Sequence, residues 1–297
     1  MKPYQKPLIA LDTSEQSWHV FLEALKLLQT SSTKAAIVTV APLYTDDLLI
    51  TTVEDLPGKT LPGFEEIFTD LPIKIIQPYQ ELIKKVENVL SEKRIEAQCF
   101  LEKGEAYQKI VDLAYNTGAD LIIMGRSSSK LKTFFLGSTA ARVIGYSPVD
   151  VLIIPYPRTI NLEKILVAVD GSSFAEKAFA KAITLAKAHQ SKLSVVSVID
   201  LPVETYGVAP DVLDKLSEER RKYLENLVDK ANKEGVKIDW FLKLGAVEDK
   251  ILEVAQETGS GLLVMGTYGK TGLKRLLMGS VTERVLSAGA LPVLVVK

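Results

Sequence analysis

Residues 237–267 read KIDWFLKLGAVEDKILEVAQETGSGLLVMGT. An apolar run over 236–243 is followed by a segment of helical periodicity over 246–258. A second short apolar run, 261–265, then ends on Gly266. Strand, helix, strand with so little chain between them is the signature of a parallel sheet, because a parallel pair needs a crossover and a helix is the usual one.

The same stretch occurs twice. Residues 96–126, EAQCFLEKGEAYQKIVDLAYNTGADLIIMGR, align on it without gaps, and 11 of the 31 pairs are identical, Gly104/Gly245 and Met124-Gly125/Met265-Gly266 among them. Upstream, 7-PLIALDTSEQS-17 matches 165-ILVAVDGSSFA-175, with Asp12 on Asp170, and 37-IVTVAP-42 matches 195-VVSVID-200. The first blocks are offset by 158 residues and the last by 141, so the first half carries 17 extra residues between them. The chain is a duplication. Its seam lies near 155–159, where Pro155 and Pro157 interrupt an apolar run and proline ends a strand. Domains of 1–157 and 158–297 are expected.

In the second half, strands are expected near 164–169, 192–199, 236–243, 261–265 and 292–296, and helices near 173–189, 211–233, 246–258 and 280–288. The long helix has apolar residues at 212, 213, 216, 224, 227, 228 and 231, one helical face, with Gly235 where a C-terminal cap belongs. Each half is therefore expected to be a small, doubly wound, Rossmann-like α/β domain. Its strand order is taken to be 3-2-1-4-5, which the alternation itself does not dictate. The excess in the first half, 43–78, has prolines at 57, 62, 72 and 78 and no sustained period. It reads as a surface excursion, or as a lid or docking loop.

Bulk properties set limits. A net charge of −1 lacks the basic excess of a general nucleic-acid binder. No stretch approaches the ~18 apolar residues of a membrane span, and the N-terminal apolar run is too short for a signal peptide. A cytoplasmic protein without membrane or nucleic-acid partners is the expectation. Cys99, the single cysteine, sits in a strand-like run and reads as a buried structural thiol.

In an open sheet of this order, ligands bind beyond the carboxyl ends of the strands, between the first and fourth. In the second half those strands end in Val169-Asp170-Gly171-Ser172 and Met265-Gly266. Gly266, Gly269, Gly272 and Gly279 allow backbone to approach a ligand closely, and the helix opening at Ser280 offers free N–H groups and a dipole suited to phosphate. Glu283 stands three residues after Ser280, at capping-box spacing. Asp170 is placed to accept ribose hydroxyls or to hold a metal beside phosphates. A Walker A loop is excluded because Val264 and Val53 stand where its first glycine belongs before Gly269-Lys270-Thr271 and Gly58-Lys59-Thr60, and no GxGxxG occurs.

Gly266-x2-Gly269-x9-Gly279-Ser280 resembles the G-x2-G-x9-G-(S/T) signature of the ATP-binding class of universal stress proteins, and the likeness extends over both halves. The resemblance implies ATP, with magnesium, as the ligand. Backbone at Val198 would bond the adenine edge and Asp170 the ribose. Gly266 would border the ribose, and Gly269, Gly279, Ser280, Val281 and Thr282 would hold the phosphates. Val169 and Met265, at the two strand ends, belong to the same set. In the first half Asp12, Val40, Gly125, Gly137, Ser138 and Thr139 stand at matching positions. There Ser128 replaces the second glycine and the glycine span is one residue shorter, so the second half is expected to be the better site. Arg126 could compensate by pairing with a phosphate. Family members pair their fifth strands across a dimer interface. Val149–Ile154 and Pro292–Val296 would do this within the chain, as a pseudo-dimer, with a homodimer of chains as a further step. No catalytic residue is assigned, and His19 and His189 read as surface or helix-end residues. The implied role is a stress-response regulator or nucleotide sensor with little or no hydrolysis. The alternatives are a nucleotide-independent binding module and an adenylating or ATP-splitting enzyme.

Overall fold

The computed structural model describes residues 4–29, 34–43, 64–126, 136–200, 210–269 and 278–297. The first half runs β1 (Pro7–Leu11), α1 (Glu15–Gln29), β2 (Ala35–Ala41), α2 (Phe64–Glu92), β3 (Ala97–Lys103), α3 (Ala106–Thr117), β4 (Leu121–Gly125), α4 (Ser138–Tyr146) and β5 (Asp150–Ile154). The second repeats it as β6 (Lys164–Ala168), α5 (Ser173–His189), β7 (Lys192–Ile199), α6 (Pro210–Lys233), β8 (Ile238–Leu244), α7 (Val247–Thr258), β9 (Leu262–Gly266), α8 (Ser280–Ala288) and β10 (Val293–Val296).

All ten strands form one sheet in the order β3-β2-β1-β4-β5-β10-β9-β6-β7-β8. Each half thus has the order 3-2-1-4-5 expected of it. Every pairing is parallel except the central one, where Val151, Leu152 and Ile153 of β5 run antiparallel to Val295, Leu294 and Val293 of β10. The inner strands are mostly apolar because helices cover both faces. Ile9, Leu11, Ile37, Ile165 and Val167 pack on one face with Phe21 of α1, Val86 of α2, Phe179 of α5 and Leu227 of α6. Leu8, Ala10, Val38 and Leu166 pack on the other with Ile110, Val143, Val254 and Leu286 of α3, α4, α7 and α8.

The cap read at the end of the long helix is present. Gly235 has φ +77° and donates to Asn232 O just past α6. Cys99 packs, partly buried, against the core, and burial with the nearby Glu87 carboxylate pushes its thiol up to about 11. The expected excursion over 43–78 needs correction. Residues 44–63 lie outside the described residues, but 64–78 form the start of the 29-residue α2, with Pro72 and Pro78 inside it. Proline costs an interior helix about 3 kcal/mol, a local penalty. The same helix continues through Val86 and Leu90, which are buried against the sheet.

At the junction of the halves, Asp150 is buried at the start of β5. Its carboxylate accepts hydrogen bonds from Tyr4 Oη (2.7 Å) and Lys297 N (3.1 Å) and pairs with Lys181 Nζ of α5 (3.1 Å). Tyr4 and Asp150 belong to the first half, Lys181 and Lys297 to the second. His19 Nε2 lies 2.7 Å from Arg158 O, and Glu23 accepts from Ile160 N at 2.9 Å, so α1 holds the connecting segment. Asp150→Ala should therefore destabilise the chain by about 2–3 kcal/mol, since it strands a buried hydroxyl and a part-buried ammonium. Denaturant midpoints would show this against the exposed Asp239→Ala, whose midpoint should not move.

Candidate functional site

The first-half crevice opens at the carboxyl ends of β1 and β4. It has a volume of about 330 Å³, and all seven residues singled out in this half line it: Asp12, Val40, Gly125, Arg126, Gly137, Ser138 and Thr139. Asp12 is exposed, and its carboxylate accepts the Ser14 N–H at 2.8 Å, which turns the chain into α1. Gly137 N donates to Arg126 O at 2.9 Å, closing the loop that leads to α4. Ser128 lies outside the described residues. The guanidinium of Arg126 has a partner other than ligand: Nη1 donates to Ser287 O in the last turn of α8, at 2.7 Å. Burial lowers the basicity of this arginine.

In the second half the same elements bring Asp170, Gly266, Gly269 and Gly279 to one end of the sheet, and the glycines serve different purposes. A Cβ on Gly266 would fall 2.7 Å from Phe174 Cβ and 2.9 Å from Phe174 C, so this glycine lets the first turn of α5 close on the end of β9. A Cβ on Gly269 would fall 2.7 Å from Asp170 Oδ2, so the bare backbone at 269 is what allows the carboxylate its place. Gly279 N donates to Thr267 O at 2.8 Å, the counterpart of the Gly137 contact. Asp170 Oδ1 accepts from Ser172 N at 2.9 Å, and the Ser172 side chain caps α5 by accepting from Ala175 N.

Val169 and Met265 are buried, so only their backbone can meet a ligand; Val198 is half-buried on the face packed by α7. Thr282 is also buried, and its hydroxyl donates to Gly266 O at 3.0 Å, leaving the backbone N–H as what it can offer an anion. The capping box expected at Ser280 does not form. Gly279 is the N-cap, Ser280 is the first helical residue, and no side chain caps the helix. Gly137 caps α4 in the same bare manner. Without a side-chain acceptor, the first-turn N–H groups of both helices are left to solvent or an anion. Among the described residues no group of three or more His, Cys, Asp or Glu side chains could hold a metal ion. Asp170 could give a hard cation at most one carboxylate ligand, so any such ion would keep most of its own water.

Two residues were missed. Arg220 of α6 donates through Nη1 to Asp170 O at 2.6 Å, placing a cation at the end of β6. A signal existed, because Arg220 stands four residues from both Leu216 and Leu224 on an otherwise apolar stripe. Next to it, Tyr223 Oη donates to Glu176 at 3.0 Å, and burial with that carboxylate raises the phenol's pKa. Phe174 stands where the first half has Gln16 and packs at 5.4 Å from the Tyr268 ring, in the glycine loop. Nothing in the sequence marked that contact.

Contacts to the missing Cβ predict unequal costs at two aligned glycines. Gly266→Ala must push α5 from β9 and should cost about 1–3 kcal/mol. Gly125→Ala would meet only the Val20 Cγ2 methyl, at 3.4 Å, and should cost clearly less. Urea denaturation of the two variants makes the comparison.

Comparison with known proteins matches the description "Universal stress protein family" to residues 3–155 and again to 161–297. Universal stress protein MJ0531 of Methanocaldococcus jannaschii is 38% identical over 141 residues, 46% of this chain and 82% of its own. Universal stress protein YxiE of Bacillus subtilis is 34% identical over 145 residues, 45% of this chain and 98% of its own. The crystal structure of a universal stress protein from Archaeoglobus fulgidus superposes with a TM-score of 0.70 at 21% identity, covering 98% of each chain, which speaks for the fold.

Proposed function

This chain belongs to the universal stress protein family, one family domain in each half, and from that we propose that its second domain binds ATP with magnesium and that the protein acts as a nucleotide sensor or regulator in a stress response. The observation that carries the reading is the convergence of three separate segments at one sheet end. Asp170 lies against the bare backbone of Gly269, and Gly279 closes the same loop and opens α8 without a side-chain cap. A carboxylate suits ribose hydroxyls, and an uncapped helix start suits phosphate oxygens. In this reading backbone at Val198 meets the adenine, Gly266 borders the ribose, and Gly269, Gly279, Ser280, Val281 and Thr282 surround the phosphates. Little or no hydrolysis is expected, since no side chain is assigned as a general base.

A second nucleotide site in the first domain is favoured by a specific observation, the crevice lined by all seven of its matching residues. The two halves, joined through β5 and β10, would then act as a pseudo-dimer carried on one chain, and pairing of two chains would be a homodimer of these. No helix among the described residues is long and apolar enough to cross a membrane. A cytoplasmic location is part of the proposal.

Denaturing the purified protein and quantifying released nucleotide by chromatography tests the stoichiometry. One ATP per chain fits the second domain alone and two fit both. Asp170→Ala should weaken MgATP binding by about ten- to a hundredfold, the loss of hydrogen bonds to a charged group. Gly279→Val should weaken it while the circular dichroism of the folded chain is kept. Unchanged affinity in a folded Gly279→Val protein would overturn the assignment.

A further inference from the structure

One side chain links the wall of the first crevice to the helix whose start belongs to the second candidate site. Arg126 follows β4 and lines the first-half crevice, yet its guanidinium reaches across the junction to Ser287 O in the last turn of α8. It lies so close to the helix end that a Cβ on Gly289, the left-handed C-cap at φ +61°, would meet Arg126 Cζ at 3.0 Å. α8 has 9 residues, about 13 Å of helix, and its other end is the bare N-terminus at Ser280. A second cation crosses in the opposite direction, Lys297 Nζ donating to Ile144 O in the last turn of α4. At the position aligned with Arg126, the second half has Thr267, whose buried hydroxyl donates to Val296 O within its own half. A reach from the wall of a crevice into the opposite half is thus made by Arg126 and not by its counterpart.

We propose that Arg126 is a positioning residue shared by the two sites: an anion bound in the first crevice draws its guanidinium off the last turn of α8 and thereby lowers the affinity of the second site for nucleotide. The inference rests on the reading of the second domain as a nucleotide site. A guanidinium bonds a phosphate more strongly than it bonds a neutral carbonyl, so a phosphate-bearing ligand competes for it. A cation at a helix C-terminus stabilises that helix, so drawing it away loosens α8, whose start carries the proposed phosphate donors. The end effect is itself worth about two- to fivefold and fades within a turn, so it is the ceiling for a coupling to the other end. As a coupling of binding free energies it acts equally in both directions.

The test measures MgATP binding calorimetrically in the full chain for wild type, Gly137→Val, Arg126→Gln and the double variant. Asp12→Ala offers a second way of emptying the first crevice should valine at 137 prevent folding. In the wild type two MgATP should bind, the second-site affinity falling as the first crevice fills. Closing the first crevice should raise second-site affinity, by at most about fivefold, in the chain with Arg126. Arg126→Gln should lower it by a similar factor, and with glutamine in place closing the crevice should change nothing. Arg126→Lys, which keeps the charge, should recover part of the effect. Equal second-site constants in all variants, or a first crevice that takes no MgATP, overturn the coupling and leave the proposed function standing. An effect of Arg126→Gln without any effect of the crevice reduces Arg126 to a helix cap and also overturns the coupling. Absence of MgATP binding in the second domain overturns the proposed function itself.

Discussion

Val151, Leu152 and Ile153 of β5 face Val295, Leu294 and Val293 of β10 in the single antiparallel pairing of the sheet, and the architecture depends on this contact. Each half by itself would end in an apolar fifth strand with a row of open donors and acceptors, a template for aggregation. Pairing the two strands removes both edges and leaves only β3 and β8 at the rims. It also brings Asp150 under Lys181 and beside the backbone of Lys297, so a buried carboxylate is satisfied from both halves at once. The same juxtaposition carries Arg126 to the end of α8.

The glycines at the strand ends show how packing and binding share one motif. Gly266 is needed because helix and strand approach too closely for a side chain, as the contact with Phe174 demonstrates. At Gly269 a Cβ would fall on the Asp170 carboxylate, which would have to swing aside. Gly279 both closes the loop and caps α8 without supplying an acceptor, leaving donors at the helix start. In the first half the corresponding Gly125 meets only the tip of a valine, and it lines a crevice of about 330 Å³.

Arg220 and Arg126 were hard to weigh from residue order, for different reasons. Arg220 breaks an apolar helical stripe, which marks it as unusual, but its partner, Asp170 O, lies 50 residues away. Arg126 follows a strand that ends on a glycine, a place that suits a phosphate contact or a solvated side chain equally. Its carbonyl partner belongs to the other half, 161 residues on. The helical start of residues 64–78 was missed because proline was weighed as a breaker, whereas tertiary packing farther along α2 determines whether the helix forms.

What the sequence determined was what short-range order and repetition carry: alternating short apolar strands and amphipathic helices, the duplication, the Gly235 cap and the positions of Asp12, Asp170 and the loop glycines. These follow from backbone geometry and the periodicity of burial, which act over a few residues. Tertiary structure alone decided which groups are already engaged: the Thr282 hydroxyl at Gly266 O, the Phe174 backbone over Gly266, Gly279 rather than Ser280 as the cap, and Arg126 at the far end of α8. Those contacts join residues far apart in the chain, and hydrogen bonds and close packing depend on distances of a few tenths of an ångström, which residue spacing does not specify.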